Sequence, residues 1–225
     1  MRYYKFLYLF AAVLFLASCA STSKEEKKML ANTDPFTIGT VRISTDPAFV
    51  SGLRDSEIEV IFDPRENEVI LSFELGKAQH LQIWSEEGRK IFIEAIAKYK
   101  DDFAGQRLNS KDRKSASIYG RAKGRFQWKP FKISATYYSS PSFDLGYRFK
   151  ENSPFFTIYQ LQAAVPGSSN SGISKSPQYN IYFTRAEAEE LARLFDQAYL
   201  LRSLEIMGIP LYQSQERDAY IERQY

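Results

Sequence analysis

Residues 80–103 read HLQIWSEEGRKIFIEAIAKYKDDF, and residues 179–201 read YNIYFTRAEAEELARLFDQAYLL. Each is a short strand pattern that runs directly into a helix pattern. Hydroxyl residues stand at both junctions, where a side-chain oxygen accepts from the free N–H groups of a first helical turn. Thr184 with Glu187 makes a full capping box, while Ser85 has Gly88 three residues on and caps alone. The apolar residues then recur at helical spacing: Ile91, Phe92, Ala95, Ile96 and Tyr99 in one helix, and Leu191, Leu194, Phe195, Ala198 and Tyr199 in the other.

Upstream of each junction the period changes from helical to two. GTVRIS (39–44) is a short strand, EIEVIFDPRENEVILSFEL (57–75) a hairpin turning at Asp63–Asn67, and HLQIW a further strand. In the second half FKISATYY (131–138) is a strand, FDLGYRFKENSPFFTIYQLQAAV (143–165) a hairpin turning at Glu151–Pro154, and YNIYF a strand. Ile58, Val60 and Phe62 alternate as half-buried strand residues do, as do Phe143, Leu145, Tyr147 and Phe149, and Phe155, Thr157, Tyr159 and Leu161. The pattern predicts an α+β fold: a curved antiparallel sheet with two helices, arranged as two ββββα repeats over about 36–104 and 115–207. Residues 36–210 form the domain. The second half differs in a longer loop, PGSSNSGISKSP (166–177), whose composition predicts a mobile surface segment. Gly208 and Pro210 stop the last helix, and 211–225 is a polar tail.

The ββββα order is similar to the unit of PUR-type and whirly-type nucleic-acid proteins. The similarity is one of element order without a shared motif, and fold order does not carry function.

The chain has 225 residues with 17 Phe and 15 Tyr, a composition that favours sheet. It opens MRYYKFLYLFAAVLFLASCAST. Arg2 and Lys5 precede an unbroken apolar run from Phe6 to Leu16, and no acid occurs before Glu25. That run suits a secretory signal and is too short for a permanent span. Small residues then lead into Cys19, the only cysteine. Leu16-Ala17-Ser18-Cys19 resembles the lipobox of the bacterial lipoprotein family, matching it at every position. The resemblance covers the first 20 residues or so. It implies a signal peptide over 1–18 cut before Cys19, a diacylglycerol thioether on Cys19, acylation of the new amino terminus, and attachment to the membrane of the bacterial cell envelope. Ala20 and Ser21 stand where an Asp often marks inner-membrane retention in that family, which favours the outer membrane. Two or three acyl chains anchor a protein stably where one does not. Ala20–Pro35 is polar and charged, so 19–35 reads as a flexible tether.

The residues exclude several chemistries. One His, His80, and one Cys leave no metal cluster and no nucleophile–base triad. His80 is expected at a surface or edge. P-loop and dinucleotide fingerprints are absent. Asp101–Asp102, Glu86–Glu87 and Glu189–Glu190 read as solvated faces. No catalytic residue, metal or cofactor is expected.

One stretch stands apart. Arg107 to Lys132 holds nine basic residues against one acid, Asp112, whereas charges beyond residue 18 nearly cancel overall. If Ile118–Trp128 is a strand, Tyr119, Arg121, Lys123, Arg125 and Gln127 share one face. Gly120, Ala122 and Gly124 lie on the other and leave a shallow strip open to close approach. Tyr119, Arg121, Lys123, Arg125 and Lys129 are the candidate contacts for an anionic envelope partner: a lipid headgroup, a glycan or an acidic protein. Nucleic acid suits that chemistry but not an exported compartment. The expected function is a lipid-anchored, non-enzymatic binding or scaffolding module. The alternatives are a carrier or chaperone for a lipid or other apolar component, and a glycan hydrolase with a spatially paired set of carboxylates.

Overall fold

The computed structural model describes residues 29–46, 52–111, 117–131, 135–150, 152–167 and 173–212. Its strands are β1 (Phe36–Thr45), β2 (Arg54–Asp63), β3 (Glu68–Leu75), β4 (Ala78–Trp84), β5 (Ile118–Lys123), β6 (Arg125–Lys129), β7 (Tyr137–Ser139), β8 (Ser142–Lys150), β9 (Ser153–Gln160) and β10 (Tyr179–Phe183). The helices are α1 (Glu86–Ala104), α2 (Arg185–Phe195) and α3 (Gln197–Ile206). The strands make one ten-stranded sheet in the order β5-β8-β9-β10-β1-β2-β3-β4-β6-β7. Every pairing is antiparallel. The fold is α+β, mostly sheet.

The sheet curls into a half-barrel that brings β8, near one end of the strand order, up to β4, near the other, at Gly124. β5 and β6 are one extended run of chain, yet β5 pairs with β8 and β6 pairs with β4. Only Gly124 separates them, and its amide donates to Pro141 O at 3.2 Å. A Cβ at this position would lie 2.5 Å from the Phe143 ring of β8 and 2.8 Å from Ile83 O of β4. Glycine is therefore required by close approach from both ends of the sheet.

On β2, β5, β6 and β8 the inward residues anticipated from the alternation are buried: Ile58, Val60, Phe62, Ala122, Phe126, Trp128, Phe143, Leu145 and Tyr147, with Phe149 half-buried at the strand's end. On β9 the expected face is corrected: Phe156 and Ile158 enter the core against α1, while Phe155 is only half-buried on the other face. At the helical end the core centres on Trp84, the last residue of β4. Its ring stacks on Phe143 at 4.6 Å and meets Phe195 of α2 at 5.3 Å and Phe92 of α1 at 5.9 Å. Such pairs add roughly 0.5–1.5 kcal/mol each beyond area burial.

Arg89 ties this corner together. Its buried guanidinium donates to Asn67 O (2.7 Å), Asn67 Oδ1 (3.1 Å), Phe195 O (3.2 Å) and Gln197 Oε1 (2.5 Å). The fork thus joins the β2–β3 turn to α1 and to the α2–α3 junction. Burial draws the guanidinium down to about 10, still charged at neutral pH.

Several expectations are corrected. The second helix pattern is two helices. Asp196 sits extended with ψ 130°, and its carboxylate accepts from the amides of Ala198 and Tyr199, so it N-caps α3 and breaks the run. In 131–138 only Tyr137 and Tyr138 are strand, with 132–134 outside the described residues, and the second half begins instead with β5. The segment read as a tether is held at its far end. Leu30 and Ala31 are buried, Leu30 N donates to Pro64 O at 2.9 Å, and Arg65 bonds Asn32 and Asp34. The long loop is anchored at both ends. Val165 N donates to Ser174 O and Ser176 N to Ala163 O, and Val165 and Ile173 pack beside Phe126 and Trp128. The signal segment and Cys19 lie outside the described residues.

Gly124→Val is expected to lower unfolding stability by about 2–3 kcal/mol, because neither Ile83 O nor the buried Phe143 ring can yield without disturbing the sheet. Lys123→Val next door, on an exposed position, should change it little. Urea unfolding followed by tryptophan fluorescence separates the two outcomes, and equal midpoints would refute the seam.

Candidate functional site

The alternation of residues 118–129 places the candidate contacts as follows. Arg121, Lys123 and Arg125 are exposed on the outer face, and Lys129 is half-exposed. Tyr119 does not join them. A register shift between Ile118 and Gly120 turns it toward α1, where its hydroxyl donates to Asp102 at 2.7 Å and its ring lies 5.8 Å from that of Tyr147. Burial and the Asp102 carboxylate both push the Tyr119 phenol up. Asp102, expected to be merely solvated, also accepts from Arg107 at 2.7 Å, and these two donors hold it below the usual carboxylate range.

Two of the arginines are bonded to acids of the same chain. Arg121 Nε donates to the buried Asp144 of β8 at 2.5 Å. Arg125 reaches over β4 to the buried Glu68 of β3. The pairs flank Gly124, one on each side, so the row of cations fastens the meeting ends of the sheet. Each carboxylate is taken from water, and a facing guanidinium offsets that cost. The shallow strip on the opposite face is filled from inside. A Cβ on Gly120 would meet Ile91 of α1 at 3.0 Å, so the body that approaches closely is the first helix.

The side chains of Lys123 and Lys129 carry no ion pair or hydrogen bond to other described residues. Near Lys129 the outer faces of β4, β6 and β7 form a groove of about 140 Å³. Register sets its members side by side: Gln79 opposite Lys129, Leu81 opposite Gln127, and Gln127 opposite Tyr138. Thr136 completes the wall, and Trp128 lies beneath. Tyr138 is 55% exposed. Beneath the groove the rings stack, Phe126 on Trp128 at 5.1 Å and Trp128 on Tyr137 at 5.5 Å. Sequence inspection missed Gln79 and Tyr138, whose only signal was an outward position on strands that become neighbours through tertiary pairing.

His80 is inside, not at a surface. It is 3% exposed, with its ring 5.3–5.5 Å from Phe73, Phe126 and Tyr179. Beside it Gln82 Nε2 donates to Gln160 Oε1 (3.1 Å) and to Tyr179 Oη (3.2 Å), and Tyr179 donates to Gln160 Oε1 (2.8 Å). His80 Nδ1 is buried without a partner, and burial pulls the imidazole down to about 4 from 6.5. Among the described residues no three His, Cys, Asp or Glu gather as metal ligands, and no helix is long and apolar enough to cross a membrane.

Residues 23–202 match the model of a family described as "Uncharacterised Treponema protein". No curated protein and no solved structure matches the chain.

Burial of His80 has a consequence for acid stability. Between pH 6.5 and about 4 the unfolded chain takes up a proton that folded His80 refuses. Stability from this group is therefore complete above pH 6.5 and falls with pH through that window, by roughly 3 kcal/mol in all. His80→Phe, which keeps the ring contacts, should flatten the fall relative to wild type. Parallel pH profiles of the urea midpoint would refute this.

Proposed function

We infer the role of a chain that belongs to the uncharacterised Treponema protein family: it is a lipid-anchored protein of the bacterial cell envelope, most consistent with the outer membrane, that acts as a non-enzymatic binding or scaffolding module. The observation that carries the binding role is the division of labour among the outward cations. Arg121 and Arg125 are bonded to Asp144 and Glu68, while Lys123 and Lys129 face outward without such partners among the described residues, and Lys129 stands in a groove with an exposed aromatic ring. Solvent-facing lysines on rigid strands suit an anionic partner. Leu16-Ala17-Ser18-Cys19 supports the anchor, with Cys19 as the acylated residue.

The sheet is in keeping with two related units. β1-β2-β3-β4 run in order and lead into α1, and β5-β8-β9-β10 run in order and lead into α2. On this reading β6 and β7 are an excursion from the second unit that pairs onto the last strand of the first.

Two experiments test the proposal. Cys19→Ser should abolish incorporation of a labelled fatty acid and release the protein from the membrane fraction. Retention with undiminished label would refute the anchor. For the binding role, a tagged wild-type protein and Lys123→Glu/Lys129→Glu are cross-linked in cells and their captured material identified. Loss of a partner in the variant is expected, and identical capture would refute the outer face. Arg121 and Arg125 are left intact, since reversing them would place like charges against Asp144 and Glu68.

A further inference from the structure

We propose that the groove over β4, β6 and β7 binds an acidic sugar residue of an envelope glycan. The inference rests on the binding-module reading and names its ligand class. The groove's lining divides into three kinds of group, and together they match one ligand. Tyr138 offers an exposed ring face at one side. The carbon-bound hydrogens of a pyranose make one face apolar, and that face stacks on an aromatic ring. Gln79 and Gln127 carry carboxamides without hydrogen bonds to other described residues. Each presents a donor and an acceptor at once, which is what vicinal hydroxyls require. Thr136 adds a hydroxyl at the rim. Lys129 is the charged member and no carboxylate among the described residues lines the groove, so an anionic substituent is favoured over a cation or a neutral ring.

Size and rigidity agree. About 140 Å³ is well under the roughly 300–1,000 Å³ of pockets that enclose a drug-sized ligand, and suits one ring of a chain that continues past both ends. The groups stand on paired strands above the stacked Phe126, Trp128 and Tyr137 rings, so little has to be ordered on binding. An added peptide strand is a poorer occupant, because β7 offers an edge of only three residues, Tyr137–Ser139.

The test uses the full-length protein purified in detergent, titrated calorimetrically with an oligomer of galacturonic acid, a glucose oligomer of the same length, and an oligomer of glutamic acid. The expected result is that the uronate oligomer binds most tightly. Tyr138→Ala should weaken it at least tenfold. Lys129→Gln should bring its affinity down to that of the glucose oligomer while leaving the latter unchanged. Arg54→Gln, at an exposed position of β2 outside the groove, should have little effect. Tyr138 is mostly exposed, so its loss leaves the core intact, and an unchanged urea midpoint verifies this. No binding of the uronate oligomer, an equal or tighter response to the glutamate oligomer, or indifference to Tyr138→Ala would each overturn the inference. A partner captured in cells through Lys123 and Lys129 would then still support the binding module, so the two failures are distinguishable.

Discussion

One stretch of chain, residues 118–129, has to serve as the edge strand at one end of the sheet and as the last strand but one at the other. The rest of the architecture depends on how that is achieved. Changing partner from β8 to β4 within a single residue leaves no room for a side chain, since Phe143 and Ile83 press in from opposite sides. Gly124 meets the steric demand, and the Arg121–Asp144 and Arg125–Glu68 pairs meet an electrostatic one on either side of it. Once the ends are joined, α1 has a surface to lie on. Its Ile91 approaches Gly120, and Trp84, Phe92, Phe143 and Phe195 fill the corner that Arg89 ties to the neighbouring turn.

Much of this was legible locally. The alternation of Ile118–Trp128 identified the buried Ala122, Phe126 and Trp128 and the exposed Arg121, Lys123 and Arg125. Ser85 and Thr184 marked the starts of α1 and α2, because capping is a property of a few adjacent residues. What was not legible is what depends on distant parts of the chain. Asp144 lies 23 residues from Arg121 and Glu68 lies 57 from Arg125, so no window of sequence announces that these cations are bonded internally. A register shift turned Tyr119 away from the face its position implied. His80 looked peripheral because it stands near a strand's start, yet curling of the sheet carries it inside, among aromatic rings. Asp196 carried its own signal as a capping residue, masked by the apolar period that continues across it.

The outer face therefore performs two tasks with one kind of residue. Arginine, with its planar fork, stands where a fixed geometry holds the sheet's ends together. Lysine, a compact charge on a flexible stem, stands where the surface is open to solvent. A basic run in sequence cannot distinguish these tasks, since both appear as alternate positive residues. The pairing partners make the distinction, and they move attention from the middle of the run to its far end, where Lys129 meets Gln79, Gln127 and Tyr138.

The clasp at the amino-terminal entry sets a length scale. Leu30 is held by Pro64 on one side, and its carbonyl accepts from Tyr212 N at 2.7 Å on the other, so the chain leaves the domain at a fixed point beside its last described residues. If Cys19 carries the lipid, ten residues lie between it and that point, eleven Cα–Cα steps in all. Whatever path they take, they span at most roughly 40 Å. A domain anchored within that reach would stay in a thin shell next to its own membrane. Within that shell its local concentration toward a surface-attached ligand would be high, and modest intrinsic affinity would suffice for durable attachment. Material beyond the shell would be out of reach however well the groove suited it.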